Sequence, residues 1–238
     1  MRVILILVIL ALAGSAWSAD KQRTDINMVV AFDRSESIDT EERRAQIDSL
    51  AAALLDKRFI DSVTSGYHGK LGITVMAWSS FAQVETILPW IEIAGRADAE
   101  EAVRRIEWHH TKDADVRHGK QTDIALAIAS AVDLLDQAPF FGSKQVVNVI
   151  SDGVDNIGRL PMVDRDLALD KGITINGLVQ ARGSAVGIIK DFFKRQVIGG
   201  PSSFVQAASK GDDFNRAMLR KMLLEIAALN GLVRADGT

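Results

Sequence analysis

The sequence predicts an α/β fold: a doubly wound, mostly parallel central sheet with helices on both faces and one antiparallel edge strand. Three observations predict it. Short, nearly continuous apolar runs recur at residues 26–32, in LGITVMAW from Leu71, in KQVVNVI from Lys144 and in GITINGLVQ from Gly172, which is how strands buried on both faces read. Segments with apolar residues at helical spacing alternate with them, as crossovers between parallel strands require. One connection alone, residues 79–82, is short enough to be a hairpin, so one strand runs antiparallel.

The elements follow in order. After the run at residues 26–32, Ile47, Leu50, Ala51, Leu54 and Leu55 place a helix from about Thr40, and Asp39 with Glu42 three residues on forms a capping box for its start. LGITVMAW and QVETILPWIEI make the hairpin. Ala102, Val103 and Ile106 give one face of a helix over residues 97–108, and a polar loop over 109–121 leads to a helix carrying Ile124, Ile128, Ala131 and Leu135. KQVVNVI ends in SDG. A helix over 162–170, the strand GITINGLVQ, a helix over 186–195 and the strand SFVQAAS precede a last helix from about Asp212, with Phe214, Met218, Met222 and Ile226 four apart. The VIGGPSS cluster is a turn within one domain, because a strand and a helix still follow it.

The 238 residues include 47% hydrophobic and 25% charged ones, enough for one well-formed core. The formal net charge of −3 and the lack of a basic run argue against nucleic acid as a partner. MRVILILVILALAGSAWSAD has one arginine, an apolar run and small residues, the pattern of a secretory signal over residues 1–19, with cleavage best after Ser18 and otherwise after Ala16 or Ala19. The run falls short of the ~20 residues of a spanning helix, so an uncleaved anchor is the alternative reading and the only expected tie to a membrane. Residues 20–238 then form one exported domain, periplasmic or secreted. It contains no cysteine, so it rests on its core without disulfides and has no lipidated N-terminal cysteine.

In a doubly wound fold, ligands bind outside the carboxyl ends of the strands. Three segments reach that rim: Asp33, Ser35 and Ser37 after the first strand, Thr122 at the opening of the middle helix, and Asp152 after the central strand. They offer two carboxylates and three hydroxyls, with neither sulfur nor imidazole. That inventory suits a hard cation, Mg²⁺ or else Mn²⁺ or Ca²⁺.

DRSES (from Asp33) resembles the D-x-S-x-S motif of von Willebrand factor A domains, and Thr122 and Asp152 stand where those domains carry the rest of their metal-ion-dependent adhesion site. The resemblance implies a Rossmann-like A-domain fold, direct or water-mediated ligation by Ser35, Ser37 and Thr122, and charge from Asp33 and Asp152, often through bridging water. It also implies metal-dependent binding of an acidic residue on a protein partner, without catalysis. INMVVAFDRSESIDTEE, ILPWIEI and FFKRQVIGGPSSFVQAA further resemble a bacterial family of exported A-like domains of unknown function, over nearly the whole mature chain. Glu36 departs from the glycine or other small residue usual at its place, and a carboxylate there either strengthens cation binding or shields the metal from an acidic partner.

The same residues bear on competing readings. A phosphohydrolase of the haloacid-dehalogenase type also places an aspartate after its first strand, and SDGVD mimics its acidic motif, but Ser35 stands where that chemistry needs a general acid. A domain whose metal only stabilises the fold is a second alternative. His109, His110 and His118 with Asp113 and Asp115 lack the spacing of a zinc helix, and the same loop fails as a calcium loop at Arg117 and Gly119. No G-x-S-x-G elbow marks a serine hydrolase. Ile188, Ile189, Phe192 and Phe193 are expected to pack on the sheet, with a docking patch as the alternative.

Overall fold

The computed structural model describes residues 21–112, 119–209 and 212–227. The signal segment, residues 1–19, and the loop at 113–118 with Asp113, Asp115 and His118 lie outside the described residues, and so does the side chain of His110. Six strands form the sheet: β1 (Arg23–Asp33), β2 (Leu71–Trp78), β3 (Val84–Ile93), β4 (Phe141–Ser151), β5 (Ile173–Gln180) and β6 (Val205–Ala208). Their order is β3-β2-β1-β4-β5-β6, and every pairing is parallel except β2 with β3. The helices are α1 (Thr40–Leu55), α2 (Lys57–Thr64), α3 (Arg96–Lys112), α4 (Ile124–Asp136), α5 (Pro161–Asp170), α6 (Ala185–Phe192) and α7 (Asp212–Ala227). The predicted fold class, with its antiparallel edge strand, is the one observed.

Strand periodicity explains the two cores. On β1, Met28, Val30 and Phe32 point into the core shared with α1, α2, α3 and α7, whereas Val29 and Ala31 point into the core shared with α4 and α5. An apolar residue is therefore needed at every position, which is why the run is continuous. Phe214, Met218, Met222 and Ile226 of α7 are all buried, each stabilising the fold by roughly 1.5–3 kcal/mol.

Three elements differ from the sequence reading, the first being α3, which runs on to Lys112, into the start of the predicted polar loop. The helix that starts at Thr40 ends at Leu55, and α2 is separate. Asp56 takes an extended conformation between them, and its carboxylate accepts from Arg58 N at 2.8 Å to cap α2. A short acidic side chain that competes for backbone N–H groups breaks the helix there. The segment predicted as one helix over 186–195 is α6 followed by a π-helical turn, Phe193–Val197. Phe193 is fully buried against Gly177 of β5, where a Cβ would lie 2.5 Å from its ring. Ile189 is buried and Phe192 packs against the same core, so this segment covers the sheet as expected; Ile188 alone of the four is exposed.

The capping box of α1 is formed. Glu42 N donates to Asp39 Oδ1 at 2.8 Å and Asp39 N to Glu42 Oε2 at 3.1 Å, an arrangement contributing about 1 kcal/mol. Among the described residues no helix is long and apolar enough to cross a membrane. The chain leaves β1 for β2 on one side and reaches β4 on the other, so the carboxyl ends of β1 and β4, paired through Phe32 and Ile150, flank the switch point.

Candidate metal centre

Asp33 ends β1 and is fully buried, with both carboxylate oxygens engaged. Oδ1 accepts from Ser35 N at 2.8 Å, which folds the D-x-S turn back on itself, and Oδ2 accepts from Ser151 Oγ on the adjacent β4 at 2.6 Å. Above it, a string of oxygens runs towards solvent. Ser35 Oγ lies 3.1 Å from Ser37 Oγ, and Ser37 Oγ donates to Asp152 Oδ1 at 2.9 Å. Ser35 is buried, Asp152 half-buried and Ser37 exposed, so the string opens on the Ser37 side.

Thr122 arrives from a loop that is tied down on both flanks. Ser79 Oγ accepts from Gly119 N at 2.9 Å and Ser80 Oγ from Gln121 N at 3.3 Å, both from the end of the β2–β3 hairpin. A side chain at Gly119 would stand 2.4 Å from Ser80 Oγ, so this close approach requires glycine. On the other flank Asn156 Oδ1 accepts from Thr122 N at 2.9 Å, and Asn156 N donates to Thr122 O at 3.0 Å. Asp123 caps α4 through Leu126 N, and Asp155 accepts from Ile124 N at 2.8 Å, so Thr122 precedes the helix cap instead of opening the helix. Thr122 is buried, and its Oγ1 lies over Gly153, 3.9 Å from where a Cβ would stand, which places it beside Asp152. The structure thus brings all five residues to one rim: four through a continuous chain of hydrogen bonds involving Ser151, and Thr122 alongside.

The electrostatics are unbalanced at the bottom of this cluster. Burial pushes Asp33 up to about 6; the bonds from Ser151 and Ser35 oppose the rise and the charge of Asp152 adds to it. Arg43 feels that charge, but its own Nε donates to Ile38 O at 3.1 Å, and no salt bridge among the described residues reaches Asp33. Arg34 is turned into the interior, where burial lowers its guanidinium to about 10 and Glu85 opposes the fall. The oxygen spacing suits a small cation: octahedral ligands at 2.0–2.1 Å stand about 3 Å apart along each edge, against 3.1 and 2.9 Å in the Ser35–Ser37–Asp152 string. Hard oxygen donors with no sulfur or imidazole complete the fit.

Several residues were not singled out from sequence. Ser151, Asn156, Ser79 and Ser80 orient the cluster by hydrogen bonds, and Asp155, read in sequence only as a mimic of a phosphatase motif, holds the start of α4. Their shared signal is nearness to a strand end: Ser79 and Ser80 directly follow β2, Ser151 closes β4, and Asp155 and Asn156 lie in the loop after it. Glu36 is exposed, with Oε1 3.7 Å from Lys120 Nζ. His109 pairs with Glu85 at 3.0 Å, away from the cluster.

Comparison with known proteins bears on the fold that carries this cluster. Residues 23–230 match the family model described as protein of unknown function (DUF1194). A search of curated proteins finds no match. Among solved structures, proximal thread matrix protein 1 from the mussel byssus superposes with a TM-score of 0.57 at 17% identity, covering 87% of this chain and 48% of that one. A form of that protein with a zinc-occupied MIDAS (metal-ion-dependent adhesion site) motif gives a TM-score of 0.50 at 16% identity. The pilus adhesin SpaC of Lactobacillus rhamnosus GG gives 0.59 at 12% identity, covering 87% of this chain and 31% of that one. The von Willebrand factor domain of the type V pili tip protein Mfa5 from Porphyromonas gingivalis gives 0.58 at 9% identity, covering 90% and 98%. The chain spans about half the length of the mussel protein and a third of SpaC, while matching nearly all of the Mfa5 domain. At these identities the likeness establishes the fold. With the family model spanning most of its length, the chain belongs to the DUF1194 family and folds as a von Willebrand factor A-like domain.

Proposed function

We propose that this domain is an exported binding module that holds a divalent cation through Asp33, Ser35, Ser37, Thr122 and Asp152 and engages an acidic residue of a protein partner. The observation that carries this reading is the oxygen string Ser35–Ser37–Asp152, stacked over a buried Asp33 at the switch point and open to solvent at Ser37. Ser35, Ser37 and Thr122 supply neutral oxygens. Asp152 supplies a carboxylate at the same level, and Asp33 sets the positions of Ser35 and Ser151 from below. Mg²⁺, or Mn²⁺ or Ca²⁺ in its place, brings a charge that such a donor set leaves partly uncompensated, and with it an affinity for an external carboxylate. The zinc-bearing MIDAS of the mussel protein supports a cation at this place in the fold.

A cleft of about 230 Å³ beside Asp152, bordered by Gln180, the exposed Arg182 and Glu42, whose oxygens already accept from Gln180 and Asp39 N, gives an incoming carboxylate room and a second cationic contact. The burial of Asp33 supports binding over phosphoryl transfer, since a nucleophile needs an exposed oxygen and both of its oxygens are enclosed and bonded. The apolar segment at residues 3–13 and the pilus-associated neighbours SpaC and Mfa5 support export to the periplasm or beyond.

The test is calorimetric titration of Mg²⁺ into wild type, Ser37→Ala and Asp152→Asn, joined to capture from periplasmic extract with Mg²⁺ or chelator. Wild type binds the cation, and each variant weakens binding at least ~10-fold and releases the same partner that chelator releases. Cation binding and capture unchanged in Asp33→Ala and Asp152→Ala would sink the proposal. A cation that raises the melting temperature without altering capture would leave only a structural metal.

A further inference from the structure

At the side of the sheet remote from the β2–β3 hairpin, β6 (VQAA) is an edge strand, paired in parallel with β5 alone. Phe204 O accepts from Gly177 N and Ala208 O from Ala181 N, both at 3.0 Å. In a parallel ladder alternate residues turn their peptide groups to the same neighbour. Phe204, Gln206 and Ala208 therefore face β5, and Val205 and Ala207 turn their N–H and C=O outward. Among the described residues no strand meets them.

This edge lies in a groove of about 490 Å³ whose walls come from opposite faces of the sheet: Lys190 of α6 on one, and Asp213, Arg216 and Arg220 of α7 on the other. Asp213 is already engaged, accepting from Ser209 N at 2.7 Å and Ser209 Oγ at 2.9 Å and lying 3.8 Å from Arg216. Lys190 and Arg220 form no salt bridge among the described residues, so the groove carries a positive surplus. Proteins often blunt a sheet edge by putting charge or proline on the strand itself. VQAA has neither; the cations stand beside the strand and leave its backbone open.

We infer that this edge takes up an extended, acidic segment of a partner protein as a seventh strand. The added backbone bonds to Val205 and Ala207, as in other strand-addition complexes. Its side chains alternate between faces, so carboxylates on one side meet Lys190 and those on the other meet Arg216 and Arg220. The two arginines are one helical turn, ~6 Å, apart, which matches carboxylates two residues apart on a strand, ~6.6 Å. The site is separate from the cation centre and does not rest on it.

The probe is a seven-residue peptide of glutamates with one central valine, so that carboxylates project to both faces of the sheet, titrated into the purified protein in chelator, with amide hydrogen exchange read by NMR. Exchange slows at Val205 and Ala207, while Gln206, already bonded to β5, is unchanged. Arg216→Glu with Arg220→Glu weakens binding at least tenfold, and Lys190→Glu weakens it independently. The peptide with lysines in place of the glutamates does not bind, and methylating the probe's ladder amides abolishes binding. Four results overturn the inference: equal binding of the methylated probe, equal competition by inorganic phosphate, protection confined to other segments, or protection of Val205 and Ala207 through self-association without peptide.

Discussion

Two buried carboxylates in this molecule are treated in opposite ways. Glu225 of α7 lies beneath the sheet with Lys221 one helical turn earlier, their side chains fully buried and 2.6 Å apart. Asn148 of β4 and Asn176 of β5 satisfy the remaining oxygen and proton positions at 2.6–3.4 Å. Burial holds the Lys221 ammonium below its usual range and Glu225 opposes that shift. Asp33, equally buried, receives only hydroxyl and amide donors. The chain provides its own cation where the carboxylate is part of the core, and neutral donors alone at the rim. A carboxylate left in that condition is consistent with the cation site proposed for this rim.

The largest effect should come from the closed pair. Glu225→Gln keeps the shape, leaves one oxygen to accept from the asparagines and strands the Lys221 charge, which should cost about 3–5 kcal/mol in urea denaturation. Adding Lys221→Met should restore most of that loss, since a neutralised pair no longer needs compensation. The open carboxylate should behave with the opposite sign. Asp33→Asn removes a buried charge that forms no salt bridge among the described residues, so metal-free protein in chelator should gain on the order of 1 kcal/mol or stay unchanged, while Mg²⁺ binding by calorimetry disappears. A loss for Asp33→Asn as large as that for Glu225→Gln would show that the two sites do not differ in kind.

A smaller effect tests whether the hairpin positions the cluster. Ser80→Ala deletes the acceptor for Gln121 N and should cost about 1 kcal/mol. Cation affinity should fall up to ~10-fold through a freed Thr122, as expected for a group that orients a ligand. Unchanged affinity at reduced stability would make the Ser80 contact merely structural.

The contrast also marks what the sequence could convey. Continuous apolar runs announced a sheet covered on both faces, and Asp39 with Glu42 announced the α1 cap, because both signals are local. Asp33, Ser35, Ser37, Thr122 and Asp152 were legible because strand ends in this fold converge, so residues far apart in sequence could be placed on one rim. Lys221 and Glu225 were not: a Lys and a Glu four apart on an amphipathic helix read as a solvated surface pair, and only the asparagines of β4 and β5 show that the face is covered. Ser151 and Asn156 escaped for a related reason, since their value lies in which distant oxygen or amide they reach. The break at Asp56 and the π-helical turn depend on competition between side chain and backbone that periodicity does not register.

Glu36 gives the smallest and sharpest prediction. It interrupts the D-x-S-x-S run with a third carboxylate, and by sequence alone it belonged either to the cation or to its screening. The structure turns it outward, exposed and 3.7 Å from an equally exposed Lys120. A pair of this kind is weak and largely screened, so Glu36→Gln should change stability by less than about 0.5 kcal/mol. If the side chain acts only through its distant charge, cation affinity at physiological salt should shift by less than about fivefold, and the shift should vanish as salt is raised. A larger, salt-independent loss would mean that Glu36 swings inward and donates to the cation directly. The open carboxylate cluster would then number three, and its preference would move from Mg²⁺ towards the larger, more highly coordinated Ca²⁺.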